Sequence, residues 1–509
     1  MPFEIAKLDL RTAEIFQGRA EPNDLEKILV AFECFNANRF NVLFAARYEQ
    51  AAQQFSNLLK EDPEWLPGYP SLVRALLGAH NPAEAYKIAD EALRRAPGNA
   101  DALTASGMAA WRRGDLAKAQ TFYRRALDLN PRQPDALLGV ASLYGMASMF
   151  KSQRKYLDAA QRLSPDDPVI RAASGNASHG AGHIADLERA LAPLDPASRQ
   201  ARSLRAHVAF DRATVNMKLR QLAVPYTRYE IKLEKVGNDP RRPHGVGVRV
   251  KLNTRTSLLL LLDTGASGIS ITPKTAERAG LEQLTTESTE ATGFGDDEAQ
   301  DSVRQLAKQV SIGSLSFTDY PISVFRSART RACDGLIGAD VFRSFLLTID
   351  FTRPVLTLEP FSQPRDESAE DLDDAEVLPA GFSRAFRFGN HLALMTAVNE
   401  QSERLFLLDS GSSQNLIDTA LAAESTKVRG DSNTRLRGVQ GAVKTVARAD
   451  QVKLRFAGFL QHNPDLLAVS LDKLSDSFGV GFGGVLGWNV LFQLKLTIDY
   501  RNGAIRLTQ

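Results

Sequence analysis

Two stretches of this chain repeat one another in order and spacing, and that repetition narrows the possible folds more than any other feature. LLLLLDTGASGISI (258–271) and LFLLDSGSSQNLI (405–417) each run a hydrophobic strand into Asp-Thr/Ser-Gly, then small residues, then apolar alternation. A single Asp-Thr-Gly marks little more than a turn. Here the landmarks that follow also keep register. Gly295 lies 32 residues after Asp263, and Gly441 lies 32 after Asp409. Gly313 and Gly458 fall at offsets 50 and 49, Gly338 and Gly487 at 75 and 78, and Asp350 and Asp499 at 87 and 90. Alternating runs such as YEIKLEKV, GVGVRVKL, LTIDF and VLTLEP, broken by Gly, Pro and Asn, read as β-strands from about residue 225. The repetition predicts two β-rich lobes of one design, each presenting an aspartate where a strand ends.

Both segments resemble the pepsin/retropepsin aspartic proteases, through the Asp-Thr/Ser-Gly triplet with its apolar strand and the later hydrophobic-hydrophobic-Gly of DGLIG and GVLG. The resemblance spans roughly 225 to 509. It implies lobe 1 over 225–362, an acidic linker over 363–376 (containing RDESAEDLDDAE) and lobe 2 over 377–509. Retroviral members pair two one-lobe chains, whereas pepsin-like members carry both lobes on one chain. The internal duplication makes intrachain pairing the simpler assembly here.

What the resemblance implies about chemistry is specific. Asp263 and Asp409 would be the catalytic pair, Gly265 and Gly411 would permit the tight loops that bring them together, and Thr264 and Ser410 would bond across the lobe interface. Two carboxylates about 3 Å apart cannot both ionise, so they share a proton. One then acts as base toward water while the other holds an acidic proton. No metal and no cofactor is needed, and the substrate is an extended polypeptide. Gly293, Phe294 and Gly295 fall where the family has a mobile flap, with Gly438 to Gly441 as the counterpart in lobe 2; the pepsin-type flap tyrosine is missing. Ala266 follows the first triplet and Ser412 the second. A Ser412 hydroxyl donating to its carboxylate would lower that pKa, and the alanine in lobe 1 predicts activity at milder pH than in acid-acting members.

The first 200 residues have a different period. Pro63, Pro97, Pro131 and Pro165 recur every 34 positions, each after a helical stretch. That is the length of a tetratricopeptide repeat, and ADALTASGMAAWRRGDLAKAQTFYRRALDLNP resembles that family. Small residues at Gly107, Ala119 and Ala126 let two helices approach, and Tyr123 would fill the gap between units. The expected organisation is a helical leader over 1–34 and a repeat solenoid with its cap over 35–210. The fold class is thus multidomain: an α-helical tetratricopeptide-type solenoid before an all-β bilobal acid-protease-like domain. Stacked repeats offer a concave surface for a protein partner.

Composition excludes other classes. The 62 basic and 60 acidic residues leave a net charge of +2 with no basic cluster, so no nucleic-acid partner is expected. The longest aliphatic run, Leu258 to Leu262, is far short of the roughly 20 residues that span a bilayer, and no membrane association is expected. Charges interrupt the opening MPFEIAKLDLRTAEIF, no signal peptide is visible, and the expected location is cytoplasmic. Only Cys34 and Cys333 are present; Cys333 reads as a buried structural thiol. His179 and His183 in HGAGH lack an acidic third ligand for zinc. The glycines of GVGFGG (479–484) precede VLGWNVLF, which reads as a strand and not as the helix of a dinucleotide loop. The alternative to an aspartic endopeptidase is a peptide-binding adaptor that keeps the fold without cleaving.

Overall fold

The structure is a computed structural model describing residues 45–361 and 378–509, apart from 166, 177–183, 186, 189–190, 192–198, 238–242, 255, 292–299, 327–331, 402 and 439–440. The leader over 1–34, the acidic run at 365–376, and His179 and His183 lie outside the described residues.

Three helix pairs form the repeat arm among the described residues: Gly68–Gly78 with Pro82–Arg95, Ala100–Arg112 with Leu116–Leu129, and Pro134–Met146 with Phe150–Leu163. Helix Ala45–Glu61 precedes them and Pro168–Asn176 follows. Helix starts follow the sequence locally. Asn81, Asn99 and Asp115 each accept backbone N–H bonds as N-caps, and Pro82 and Pro134 open their helices. Tyr123 is buried between Gly107 and Gly139, where any side chain would strike its ring.

One edge of the arm docks on lobe 2. The residues at the turn inside each helix pair, His80, Gly114 and Ser148, all have positive φ (55°, 71° and 59°) and recur every 34 positions. His80 Nδ1 lies 2.9 Å from Asp476 Oδ2, and Asp476 also pairs with Arg112. Trp111 Nε1 donates to the Gly479 carbonyl (2.7 Å), and Ser148 lies against Gly503. Leu116 and Met146 complete an apolar cluster with Phe388, Val480 and Phe482 of lobe 2. Gly114 is left-handed, and a Cβ there would strike the carbonyl oxygen of Gly481. Gly114→Val is therefore expected to destabilise the docked protein by about 2–4 kcal/mol, through left-handed strain and overpacking together. Chemical denaturation reads this directly; an unchanged midpoint would mean the edge is not seated.

Among the described residues lobe 1 is built on a ten-stranded sheet and lobe 2 on an eight-stranded one, each with short helices. A six-stranded sheet joins them. In it Phe345–Asp350 of lobe 1 pairs antiparallel with Lys495–Asp499 of lobe 2, and the Thr348 and Thr497 hydroxyls meet at 3.0 Å on the dividing line. The two lobes therefore pair within one chain. One apolar core runs from Val246, Val248 and Leu260 through Ile349 and Ile498 to Leu408 and Leu486. The matched Asp350 and Asp499 serve turns: each accepts backbone N–H bonds two or three residues on. No helix among the described residues is long and apolar enough to cross a membrane.

One local expectation is corrected. VLGWNVLF is not one strand: Gly484–Leu486 is strand and Trp488–Leu491 is a short helix. The break comes where Trp488 N–H donates to the Ser412 carbonyl and the chain turns under the loop after Asp409.

Candidate active site

Asp263 ends the strand Thr256–Asp263, and Asp409 follows the strand Arg404–Leu408. The strands buried beneath them leave their C-terminal ends at the line where the lobes meet. A parallel neighbour steadies each: Gly338 aligns with Asp263, and Asp409 N–H donates to the Leu486 carbonyl at 3.0 Å. The loops then fold back on their own carboxylates. Gly265 N–H donates to Asp263 Oδ1 (2.8 Å), and Gly411 N–H and Ser412 N–H both donate to Asp409 Oδ1 (2.9 Å each).

A crossed network locks the two loops together. Thr264 Oγ1 donates to the Leu408 carbonyl (2.9 Å) and accepts from Ser410 N–H (2.9 Å). Reciprocally, Ser410 Oγ donates to the Leu262 carbonyl (3.0 Å) and accepts from Thr264 N–H (3.1 Å). Both side chains are 1% exposed, so these bonds do not compete with water. The grip sets each carboxyl over the other loop's glycine. A Cβ on Gly265 would lie 2.5 Å from Asp409 Cγ, and one on Gly411 would lie 2.6 Å from Asp263 Oδ1. Only glycine fits at either place.

Burial, the Asp409 charge beside it and a hydrogen bond shared with Asp409 hold the Asp263 carboxyl well above the usual carboxylate range. Folded Asp263 thus keeps its proton to higher pH than it does in the unfolded chain. The corresponding stability is present at low pH and is lost as pH rises from about 4 through the raised value. Asp263→Asn should remove that loss. Near pH 7 the variant is expected to melt about 2–4 °C above the unsubstituted protein, with the gap closing toward pH 4. A gap that stayed constant with pH would contradict the shift.

The Ser412 hydroxyl does not do what its position suggested. Ser412 Oγ donates to the Gln414 carbonyl (2.8 Å), because a local backbone acceptor outcompetes the carboxylate. Lobe 2 instead gives its aspartate a second backbone N–H. Three supporting residues carry no family motif in the sequence reading. Asp340 Oδ1 accepts from Gly268 N–H (2.8 Å) beneath the lobe 1 loop, and burial raises its pKa. In lobe 2 Asn489 Oδ1 accepts from Asn415 N–H (2.9 Å), and Asn415 Oδ1 accepts from Gly487 N–H (2.8 Å). Asp340 and Asn489 each stand two residues after the matched glycines Gly338 and Gly487, so the duplication register held the signal for them.

Gly293, Phe294 and Gly295 lie outside the described residues. Gly438 and Gly441 are antiparallel partners in a two-stranded sheet. Its flanking Leu436 and Val443 pack in the cluster that receives Trp111 and Leu143 of the arm. Cys333 is buried with Val236, Leu261 and Leu336. Among the described residues no group of three or more His, Cys, Asp or Glu is placed to hold a metal ion.

Two family models match. The aspartyl protease model covers residues 248–341 and 394–490, one segment per lobe, and the tetratricopeptide repeat model covers 71–134 and 104–168. Among curated proteins, a TPR repeat-containing protein of Pseudomonas aeruginosa is 28% identical over 155 residues, 30% of this chain and 26% of the relative. Cellulose synthase operon protein C of Pseudomonas fluorescens is 32% identical over 115 residues, 21% of this chain and 9% of the relative. The chain thus spans about a quarter or less of these curated relatives. Among solved structures, a retropepsin-like aspartic protease from Rickettsia conorii is 18% identical, with 28% of this chain and 96% of that chain covered and a TM-score of 0.20. A thermophilic TPR protein from Thermus thermophilus is 21% identical, covering 37% and 97%, with a TM-score of 0.25.

Proposed function

We propose that this chain, a retropepsin-like aspartyl-protease unit carried behind tetratricopeptide repeats, is an aspartic endopeptidase whose catalytic pair is Asp263 and Asp409. The observation that carries the reading is the crossed arrangement of the two loops. Each carboxyl lies over the opposite glycine, and Thr264 and Ser410 hold the crossing with four buried bonds. A pure binding groove has no use for two carboxyl groups forced together at this cost in repulsion.

The raised pKa of Asp263 makes it the proton holder of the resting pair, and the loop of its partner aims two backbone N–H donors at the other carboxyl. The pair titrates as a unit, so these are roles in one microstate. Asp409 takes a proton from water as its oxygen bonds to the scissile carbonyl carbon, while Asp263 gives its proton to the carbonyl oxygen. The result is a neutral tetrahedral diol. On collapse, Asp409 passes its new proton to the leaving nitrogen, the C–N bond breaks, and Asp263 recovers a proton from one diol hydroxyl. Carboxylic acid and amine leave, and the pair returns to its starting charge.

The repeat arm, docked through its turn edge, would present a polypeptide substrate or a regulatory partner to the lobes. Incubation with a diverse peptide library between pH 4 and 8, alongside Asp263→Asn and Asp409→Asn, tests the assignment. Internal cleavage lost in both variants supports it. Tight peptide binding with no products after long incubation would instead identify an adaptor.

A further inference from the structure

We propose that His391 is a positioning residue for peptide hydrolysis: a neutral imidazole from lobe 2 that holds the lobe 1 loop 263–267 in place beside Asp409. The inference rests on reading Asp263 and Asp409 as a peptidase pair, and names a residue that no triplet, glycine or matched landmark points to.

His391 opens the strand His391–Val398, opposite Phe388. Its Nε2 lies 3.4 Å from Ser267 Oγ of lobe 1, on the loop that carries Asp263. Phe478 meets the ring edge-on, 5.3 Å between centroids at 75°, so the imidazole is wedged and does not swing freely. Gly265 is the residue over which the Asp409 carboxyl lies. A group holding Ser267, two residues further along the same loop, therefore steadies the stretch that sets how the two carboxyls face each other.

The charge state and tautomer follow from the surroundings. Nδ1 is buried and has no hydrogen-bond partner. Protonating it would bury an unpaired N–H and a charge, whereas a bare ring nitrogen there costs less. The proton accordingly sits on Nε2, where Ser267 Oγ receives it. Burial pushes the His391 pKa below its ordinary value despite the nearby Asp409 charge, in keeping with a neutral ring.

The contact also breaks the symmetry between lobes. Gly247 aligns with Leu261 in lobe 1 and Ala393 with Leu407 in lobe 2, two residues before each aspartate, which places Gly245 where His391 would stand. Gly245 has no side chain with which to return the contact. His391 thus supports one loop only, the loop of Asp263, which has a single backbone donor from its own lobe to the carboxylate where Asp409 has two.

Two substitutions separate donation from packing. His391→Phe keeps a ring against Phe478 and removes the donor; His391→Gln keeps an amide N–H near the Nε2 position. For cleavage of a library-derived peptide, His391→Phe should lower kcat about tenfold with KM within about twofold, the worth of one hydrogen bond to an aligned loop. His391→Gln should stay within about threefold of the unsubstituted enzyme. Full activity in His391→Phe, or an equal fall in both, would overturn the proposal. A readout independent of catalysis is the ¹⁵N NMR signature of the His391 ring in the full chain. It should report the neutral Nε2–H tautomer persisting to lower pH than in an ordinary histidine. An Nδ1–H tautomer, or a ring that takes its second proton at or above the ordinary histidine value, would contradict it. Intact tautomer without any peptide cleavage would sink the peptidase reading while leaving the contact standing.

Discussion

Asp409→Asn is expected to lower kcat for peptide cleavage by about a thousandfold or more, with binding of extended peptides changed only a few-fold. Asparagine keeps the shape of the side chain, so the backbone bonds from Gly411 and Ser412 find a carbonyl oxygen in place of a carboxylate oxygen. What is lost is the base: an amide takes no proton from water. Asp263→Asn should fall as far, because it removes the acid that protonates the scissile carbonyl. The double variant should be scarcely worse than either single one, since groups that act as a unit are not additive. Residual activity above about a tenth of normal in either single variant would mean that some other group supplies base or acid.

Thr264→Val should be among the most destabilising conservative changes in the molecule, by about 2–6 kcal/mol. Valine fills the same volume. It removes the donor to the Leu408 carbonyl and the acceptor for Ser410 N–H, and leaves both stranded in a site closed to water. Each such orphan costs about 1–3 kcal/mol. Ser410→Ala should behave alike by stranding the Leu262 carbonyl and Thr264 N–H. A double-mutant cycle should show strong coupling, because the second substitution removes bonds whose partners the first has already disturbed. Activity should fall in step, as the carboxyls lose their facing geometry. A Thr264→Val protein within about 0.5 kcal/mol of normal would show that the crossing is ornamental.

Much of the site was legible because duplication writes the same constraint twice. The triplets, the strands before them and the glycines at matched offsets pointed to Asp263 with Thr264 and Gly265, and Asp409 with Ser410 and Gly411, as the meeting loops. The 34-residue proline period likewise marked the helix pairs. Side-chain direction was not legible: Ser412 looked like a donor to its carboxylate, and only local geometry shows the Gln414 carbonyl taking that proton. The docking edge was hidden for another reason. His80, Gly114 and Ser148 share a backbone conformation and not a residue type, so their period leaves no composition signal. The joining sheet was half visible, in LTIDF and LTIDY, but nothing in either run says that the two pair with each other. The counterpart of His391 in lobe 1 is a glycine, Gly245, and comparing the copies draws attention to what matches.

The most direct test is a ¹³C NMR titration of the aspartate carboxyl groups in the full chain, with Asp263 and Asp409 assigned through their asparagine variants. The pair should release its two protons in well-separated steps, with the Asp263 signal still protonated well above about pH 4. Replacing Asp409 should draw the Asp263 step down, since the neighbouring charge contributes to its shift. Two independent titrations near about pH 4, each indifferent to loss of the other group, would show that the carboxyls do not share a proton.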